Sequence, residues 1–181
     1  MNNFRLEVVS DFLDSKNYWL LVDQIDKTGW KLENKDLENQ SDNSFFTVRT
    51  SFTVDDDNKF IYEAVGAYVK LKVKKYFKNV NFLRRWLVNG QLFGQESNFH
   101  RDNYCKETKS VTCVIFLNNF WSSYWGGEFC IHNSDENTYK YVAYKPNTAV
   151  IFPSEYEHCG RAPNLNTDRL RTSIAFVYDL Y

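Results

Sequence analysis

No run of apolar residues in this chain of 181 reaches bilayer-spanning length, and a mean hydropathy of −0.54 excludes a membrane protein. The opening Met1-Asn2-Asn3-Phe4-Arg5-Leu6-Glu7 lacks the apolar stretch of a signal peptide. Four cysteines (Cys105, Cys113, Cys130 and Cys159) show no CxxC spacing, which predicts reduced thiols in a cytoplasmic protein. Charge of one sign is missing too: 22 Lys and Arg against 23 Asp and Glu leave a net charge of −1. With no global field to attract polyanions, neither nucleic acid nor membrane is expected as a partner. No repeat, low-complexity tract or linker divides the chain, so one domain over residues 1–181 is expected. Histidine is scarce, with only His100, His132 and His158. Aromatic residues are plentiful at 18% and can supply a core.

Residues 1–80 read as helical support. Phe4–Val9 suits a first strand, and Asp14-Ser15 offers an N-cap for a helix through Tyr18-Trp19-Leu20-Leu21-Val22 to Ile25. Asn34–Ser44 is polar and acidic without periodicity and reads as a loop. After a strand at Phe45–Thr50, Asp55-Asp56-Asp57 places negative charge at the positive start of a helix over about Asn58–Phe77. Phe60, Ile61, Ala64, Val65, Tyr68 and Leu71 are its predicted buried stripe. The lysines at its C-terminal end complement the dipole on a solvated face.

From residue 81 to 181 the character changes to short extended runs separated by Gly, Asn, Asp and Pro. The expected strands are Asn81–Val88, Gln91–Phe93, Ser97–Arg101, Ser110–Leu117, Gly127–His132, Lys140–Ala143, Thr148–Phe152 and Thr172–Tyr178. Many short strands imply a sandwich, barrel or jelly roll, so the fold class is mostly β with N-terminal supporting helices.

His100 and Asp102 form a His-x-Asp pair. In an extended segment, positions i and i+2 project from one face, so both could reach one ion. An imidazole nitrogen and a carboxylate oxygen suit a ferrous ion. Such a pair alone occurs often by chance. His158 follows the apolar run Ala149-Val150-Ile151-Phe152-Pro153, and thirteen residues later comes Arg171 in Arg-Thr-Ser-Ile-Ala-Phe. His-x-Asp, a distant His, then an Arg on a late strand is the order of a 2-His-1-carboxylate iron site with an oxo-acid cosubstrate. His132 has no carboxylate in fitting register and receives no role. Cys159 follows a proposed ligand directly and in an extended backbone points away from the metal. In Trp125-Gly126-Gly127-Glu128 the glycines permit a tight turn or close backbone approach.

Arg171 and Arg169 compete for an anionic cosubstrate. Arg171 leads into Ile174-Ala175-Phe176-Val177 and is the one expected to be buried, with Ser173 on its face. A buried guanidinium needs an anionic partner and matches a carboxylate in a two-pronged hydrogen bond. The alternative is a structural ion pair with Asp168 or Glu157.

The chain resembles the Fe(II)/2-oxoglutarate-dependent dioxygenases, and within them the prolyl 4-hydroxylase branch with its small phage and bacterial members. The residues that carry the resemblance are Asn98-Phe-His-Arg-Asp-Asn103, Val111-Thr-Cys-Val-Ile-Phe-Leu-Asn118, Trp125-Gly-Gly-Glu-Phe129, Lys145-Pro-Asn-Thr-Ala-Val-Ile-Phe152, His158-Cys-Gly-Arg-Ala-Pro163 and Arg171-Thr-Ser-Ile-Ala-Phe176. It implies a double-stranded β-helix with Fe(II) on His100, Asp102 and His158. It also implies 2-oxoglutarate as cosubstrate, held by Arg171 and Ser173, with dioxygen consumed and ascorbate an optional reductant. Two departures stand out. Several prolyl hydroxylases carry a tyrosine where Phe116 stands, so its hydrogen bond to the distal carboxylate must come from Ser173 or a polar residue of Asn89–Gln95. The spacing from His158 to Arg171 is also longer than usual, and the usual spacing would select Arg169.

The implied activity is hydroxylation of an unactivated C–H bond in a prolyl residue of a peptide or protein. The alternatives are a free amino acid or other small molecule, with Arg101 or Arg161 receiving its carboxylate, and a non-catalytic β-barrel binding protein. Phe99, Tyr104, Phe120, Trp121 and Tyr124 could stack on a proline ring. Asn34–Ser44, with the region of Asp55–Asp57, could form a substrate lid.

Overall fold

A computed structural model describes residues 4–27, 30, 48–50, 56–105 and 107–181. The elements run β1 (Glu7–Val9), α1 (Ser15–Asp26), β2 (Val48–Thr50), α2 (Asp56–Val73), β3 (Val80–Gln91), β4 (Ser110–Phe116), β5 (Phe129–Asn133), β6 (Thr138–Val142), β7 (Ala149–Pro153), β8 (His158–Gly160) and β9 (Arg171–Leu180). They form an antiparallel six-stranded sheet, ordered β1-β7-β4-β9-β3-β2, and a three-stranded sheet, ordered β6-β5-β8. This is the double-stranded β-helix with helical support that the sequence predicts.

Strand periodicity explains where the core and the cavity lie. On β9, Ile174, Phe176 and Tyr178 point to one side and join Tyr18, Leu21 and Ile25 of α1 and Tyr62, Val65 and Val69 of α2 in the larger core. Arg171, Ser173 and Ala175 point the other way, into a cavity between the sheets. β3 repeats the pattern, with Val88 in the core and Leu87, Asn89 and Gln91 on the cavity wall. Central β4 is buried at every position, including its two hydroxyl residues Ser110 and Thr112. A smaller cluster, including Val114, Phe116, Phe129, Ile131, Val150 and Phe152, fills the rest of the space between the sheets.

The α1 cap is as expected: the Asp14 carboxylate accepts from Asn17 N at 2.9 Å. The α2 stripe is not. Phe60 and Leu71 are 74% and 62% exposed, and the buried positions are Tyr62, Val65, Gly66, Val69 and Val73, of which only Val65 belongs to the predicted stripe. That series keeps the helical period but is rotated from the predicted stripe, because a polar-tipped tyrosine rather than Phe60 begins it. Ser97–Arg101 is not a strand; only His100 makes a bridge, to His158. Gln91 ends β3 rather than starting a new strand. The Asn34–Ser44 loop and Asp55 lie outside the described residues, so the lid reading does too. Among the described residues no helix is long and apolar enough to cross a membrane.

Candidate active site

The three predicted ligands come together at one end of the space between the sheets. His158 opens β8, and its main chain exchanges both hydrogen bonds with His100, at 2.9 and 3.0 Å. Asp102 is reached by a bend rather than a strand, held because the Asp102 and Asn103 amides both donate to Ser154 O. Convergence thus comes from this anchoring and not from the i, i+2 geometry that the spacing suggests. Ligand atoms of His100, Asp102 and His158 all lie within 4.8 Å of one another.

The donor set fits a divalent iron. Each imidazole donates Nδ1–H to a carbonyl two residues earlier, His100 to Asn98 O at 3.0 Å and His158 to Tyr156 O at 2.9 Å. Those bonds select the tautomer whose Nε2 lone pair is free for a metal. Burial, reinforced by the neighbouring His100, pushes the His158 pKa down to about 4, so the ring is neutral at pH 7. Burial opposes ionisation of Asp102, but His158, Arg85, His100 and the Thr112 hydroxyl outweigh it and hold the carboxyl below its ordinary value. A neutral imidazole beside a carboxylate is the protonation state that binds metal. His132 stands outside the group, 3.4 Å from Glu157 and stacked on Tyr139. Cys159 lies opposite Cys130 across β5 and β8, on alternate positions from His158.

The second requirement is a place for a dianionic acid. Arg171 is 2% exposed, and no carboxylate among the described residues pairs with it. Its Nε donates to Gly127 O at 2.7 Å and its Nη1 to Gln91 Oε1 at 3.0 Å, with the ring of Tyr144 below the guanidinium at 4.7 Å. Nη2 is buried with no partner. A desolvated cation held at two points with its third nitrogen unsatisfied fits an anionic ligand in the adjoining cavity, which His100, Asp102, His158 and Ser173 also line. Arg169 is exposed beside Trp125 and faces a separate cleft with Asp26 and Asn119.

A tyrosine does lie beside Phe116, but not with a free hydroxyl. Tyr144 stacks on Phe116 at 4.6 Å, and its single O–H is taken up between two acceptors, Asn118 Oδ1 and Thr172 O. Besides the two histidines, Ser173, Asn89 and Ser97 are the other uncharged polar side chains among the described residues lining the cavity, and Gln91 is spent on Arg171 and Gly160 O. Sequence reasoning missed the specific roles of Gln91, Gly127 and Gly160 around Arg171, and of Arg85, Thr112 and Ser154 around Asp102. The glycine pair before Glu128 was the available signal, because close backbone approach was one of its two readings.

Gly127 does both things a glycine allows. Its φ is +82°, and a Cβ there would sit 3.1 Å from Arg171 Cδ and 3.3 Å from Trp121 Cζ2. Gly94, with φ +80°, has nothing within 4 Å of such a Cβ. Gly127→Ala should therefore destabilise the protein by about 1–3 kcal/mol more than Gly94→Ala in urea unfolding, the surplus being crowding alone. Equal losses would show that the space around Gly127 is not tight.

A family model described as the 2OG-Fe(II) oxygenase superfamily matches residues 85–178. No curated protein matches the chain. Among solved structures, a prolyl hydroxylase from Trichoplax adhaerens, in complex with a hypoxia inducible factor oxygen degradation domain peptide fragment, superposes with a TM-score of 0.72 at 16% identity. It covers 99% of this chain and 84% of its own. A prolyl-4-hydroxylase from Pseudomonas putida gives 0.66 at 16% identity, covering 98% and 93%. The α-ketoglutarate-dependent epimerase SnoN of nogalamycin biosynthesis gives 0.68 at 11%, covering 97% and 77%. At these identities the likeness is one of fold, and the epimerase shows that the fold serves more than one reaction.

Proposed function

The chain belongs to the 2OG-Fe(II) oxygenase superfamily, and on that premise we propose that it hydroxylates a prolyl residue within a peptide or protein. As a member it is a 2-oxoglutarate-dependent dioxygenase using Fe(II). In this reading His100 Nε2, His158 Nε2 and one oxygen of Asp102 hold the iron. Arg171 Nη2, helped by Ser173, receives the distal carboxylate of 2-oxoglutarate. The bound iron and cosubstrate supply the oxidant for a C–H bond, at the expense of decarboxylation to succinate. The chain's own part is placement. The two Nδ1–H bonds fix the imidazoles, Gln91 and Gly127 fix the guanidinium, and Val114, Phe129 and Ala175 give the cavity an apolar wall.

The observation that favours a peptide over a free amino acid is the lack, among the described residues that line the cavity, of an arginine or lysine other than Arg171. A free amino acid would bring a carboxylate needing one, and Arg171 is taken by the cosubstrate. The two other candidates are committed: Arg101 pairs with Glu157 at 3.1 Å and Arg161 with Glu96 at 3.1 Å. Neither lines the cavity. A prolyl residue inside a chain presents amides instead. Phe99 and Tyr104 flank the ligand loop and are 42% and 74% exposed; the Phe99 ring already meets Tyr139 at 5.4 Å, which leaves Tyr104 the more open to stacking. Trp121 is not, being 7% exposed with its N–H donated to Gly126 O. The prolyl hydroxylases among the structural neighbours agree with this choice without deciding it.

The test is succinate release and a one-oxygen mass gain across three panels: proline-containing peptides, free proline and lysine, and alkylated oligonucleotides. Gain on peptides alone is expected. Gain on a free amino acid with peptides ignored would overturn the peptidyl reading while leaving the oxygenase assignment intact.

A further inference from the structure

We infer that Arg85 is a positioning residue that reserves one oxygen of Asp102, leaving the metal only the other. The inference rests on the reading of Asp102 as an iron ligand. Asp102 presents two oxygens with different surroundings. Oδ1 accepts from Arg85 Nη2 at 2.6 Å, and the same nitrogen donates to the Asp102 main-chain oxygen at 3.1 Å. Oδ2 faces His158 Nε2 at 3.5 Å and accepts from Thr112 Oγ1 at 2.8 Å, while Thr112 Oγ1 is braced by Ser154 Oγ at 2.9 Å. Only Oδ2 therefore points at the partner histidine, and Oδ1 is turned into a charge-assisted bond.

The fold gives Arg85 this position through a defined feature. β3 shifts register against β9 between Leu83 and Arg85, and such an irregularity re-aims the side chain that follows it. Arg85 then heads the alternate row that continues as Leu87, Asn89 and Gln91 along the cavity wall. Arg84, one residue earlier, points to Asp179 instead. The grip on Asp102 is on a side chain only 8% exposed, although Arg85 itself is 46% exposed.

The chemical consequence concerns vacancies. A carboxylate can give a cation one oxygen or two. Two imidazoles and one oxygen leave an octahedral ion three positions, enough for a two-pronged keto acid and dioxygen. A carboxylate free to give both oxygens would take one of them. A guanidinium on Oδ1 opposes a cation at that oxygen electrostatically, so it directs the metal to Oδ2. It keeps positions open.

The experiment uses Co(II), followed by its visible absorption, and then 2-oxoglutarate titrated into the Co(II)-loaded protein. Arg85→Gln should weaken 2-oxoglutarate binding about tenfold more than it weakens Co(II) binding, and Arg85→Lys should recover part of the difference. Arg84→Gln should leave both affinities at the wild-type level. Arg85→Lys alone carries the comparison if the glutamine variant does not fold. Unchanged 2-oxoglutarate affinity, a parallel fall in both affinities, or the same effect from Arg84→Gln would each overturn the role of Arg85. Wild-type protein that takes up no Co(II) would instead overturn the ligand assignment beneath it.

Discussion

His158→Ala should abolish Fe(II) binding and all 2-oxoglutarate turnover. Of the three proposed ligands His158 is the most completely enclosed, 4% exposed, with Phe129 and Phe152 against its ring at 5.5 and 4.7 Å. No other histidine is close enough to replace it, since His132 is turned toward Glu157 and Tyr139. Losing a ligand should exceed the 10–100-fold cost of losing an outer hydrogen-bond partner, so a drop of at least about 100-fold in metal affinity is expected. His100→Ala and Asp102→Ala should behave alike, and His132→Ala should bind iron normally. Equilibrium dialysis against Fe(II) under anaerobic conditions reads this directly, separately from activity. Iron retained at wild-type affinity by His158→Ala would refute the assignment.

What the sequence made legible follows from which physical signals are local. The β-branched and apolar residues dense in Ser110–Leu117 and Thr172–Tyr178 set strand class without knowledge of partners. The His-x-Asp pair, His158 and Arg171 were legible because histidines are few and because order along the chain survives folding. The reason given for the His100–Asp102 convergence was not the operative one: Asp102 is placed by two amide bonds to Ser154 O, some fifty residues downstream. Contacts of that range have no local imprint. The same holds for Gln91 and Arg171, eighty positions apart, and for Arg85, which reads as one more polar residue on a strand. The α2 stripe failed differently, because apolar residues on both sides of the helix left two rotations plausible and packing chose one.

Arg171→Ala should raise the KM for 2-oxoglutarate on the order of 100-fold with a smaller effect on kcat, because the proposed role of the residue is to bind the end of the cosubstrate remote from the reacting carbons. A charge-assisted bond to a desolvated carboxylate is worth about 1.5–3 kcal/mol, and Arg171 offers one from a guanidinium already oriented by Gly127 O and Gln91. Burial pushes its pKa down from the ordinary value, yet an arginine remains protonated, so the cation is present whether or not an anion is. Arg171→Lys should recover only part of the binding, since a lysine cannot reproduce the fork that reaches Gly127 O and Gln91 while pointing a third donor at the ligand. Gln91→Leu should weaken 2-oxoglutarate too, but less than Arg171→Ala, by loosening the guanidinium without removing its charge. Arg169→Ala is the discriminating control. That residue is exposed, lies beside Trp125 and faces the cleft near Asp26, so its loss should leave KM within about twofold of wild type. The reverse ranking, a large effect from Arg169 and a small one from Arg171, would move the anchor to the shorter spacing and leave the unpartnered Arg171 Nη2 without a function.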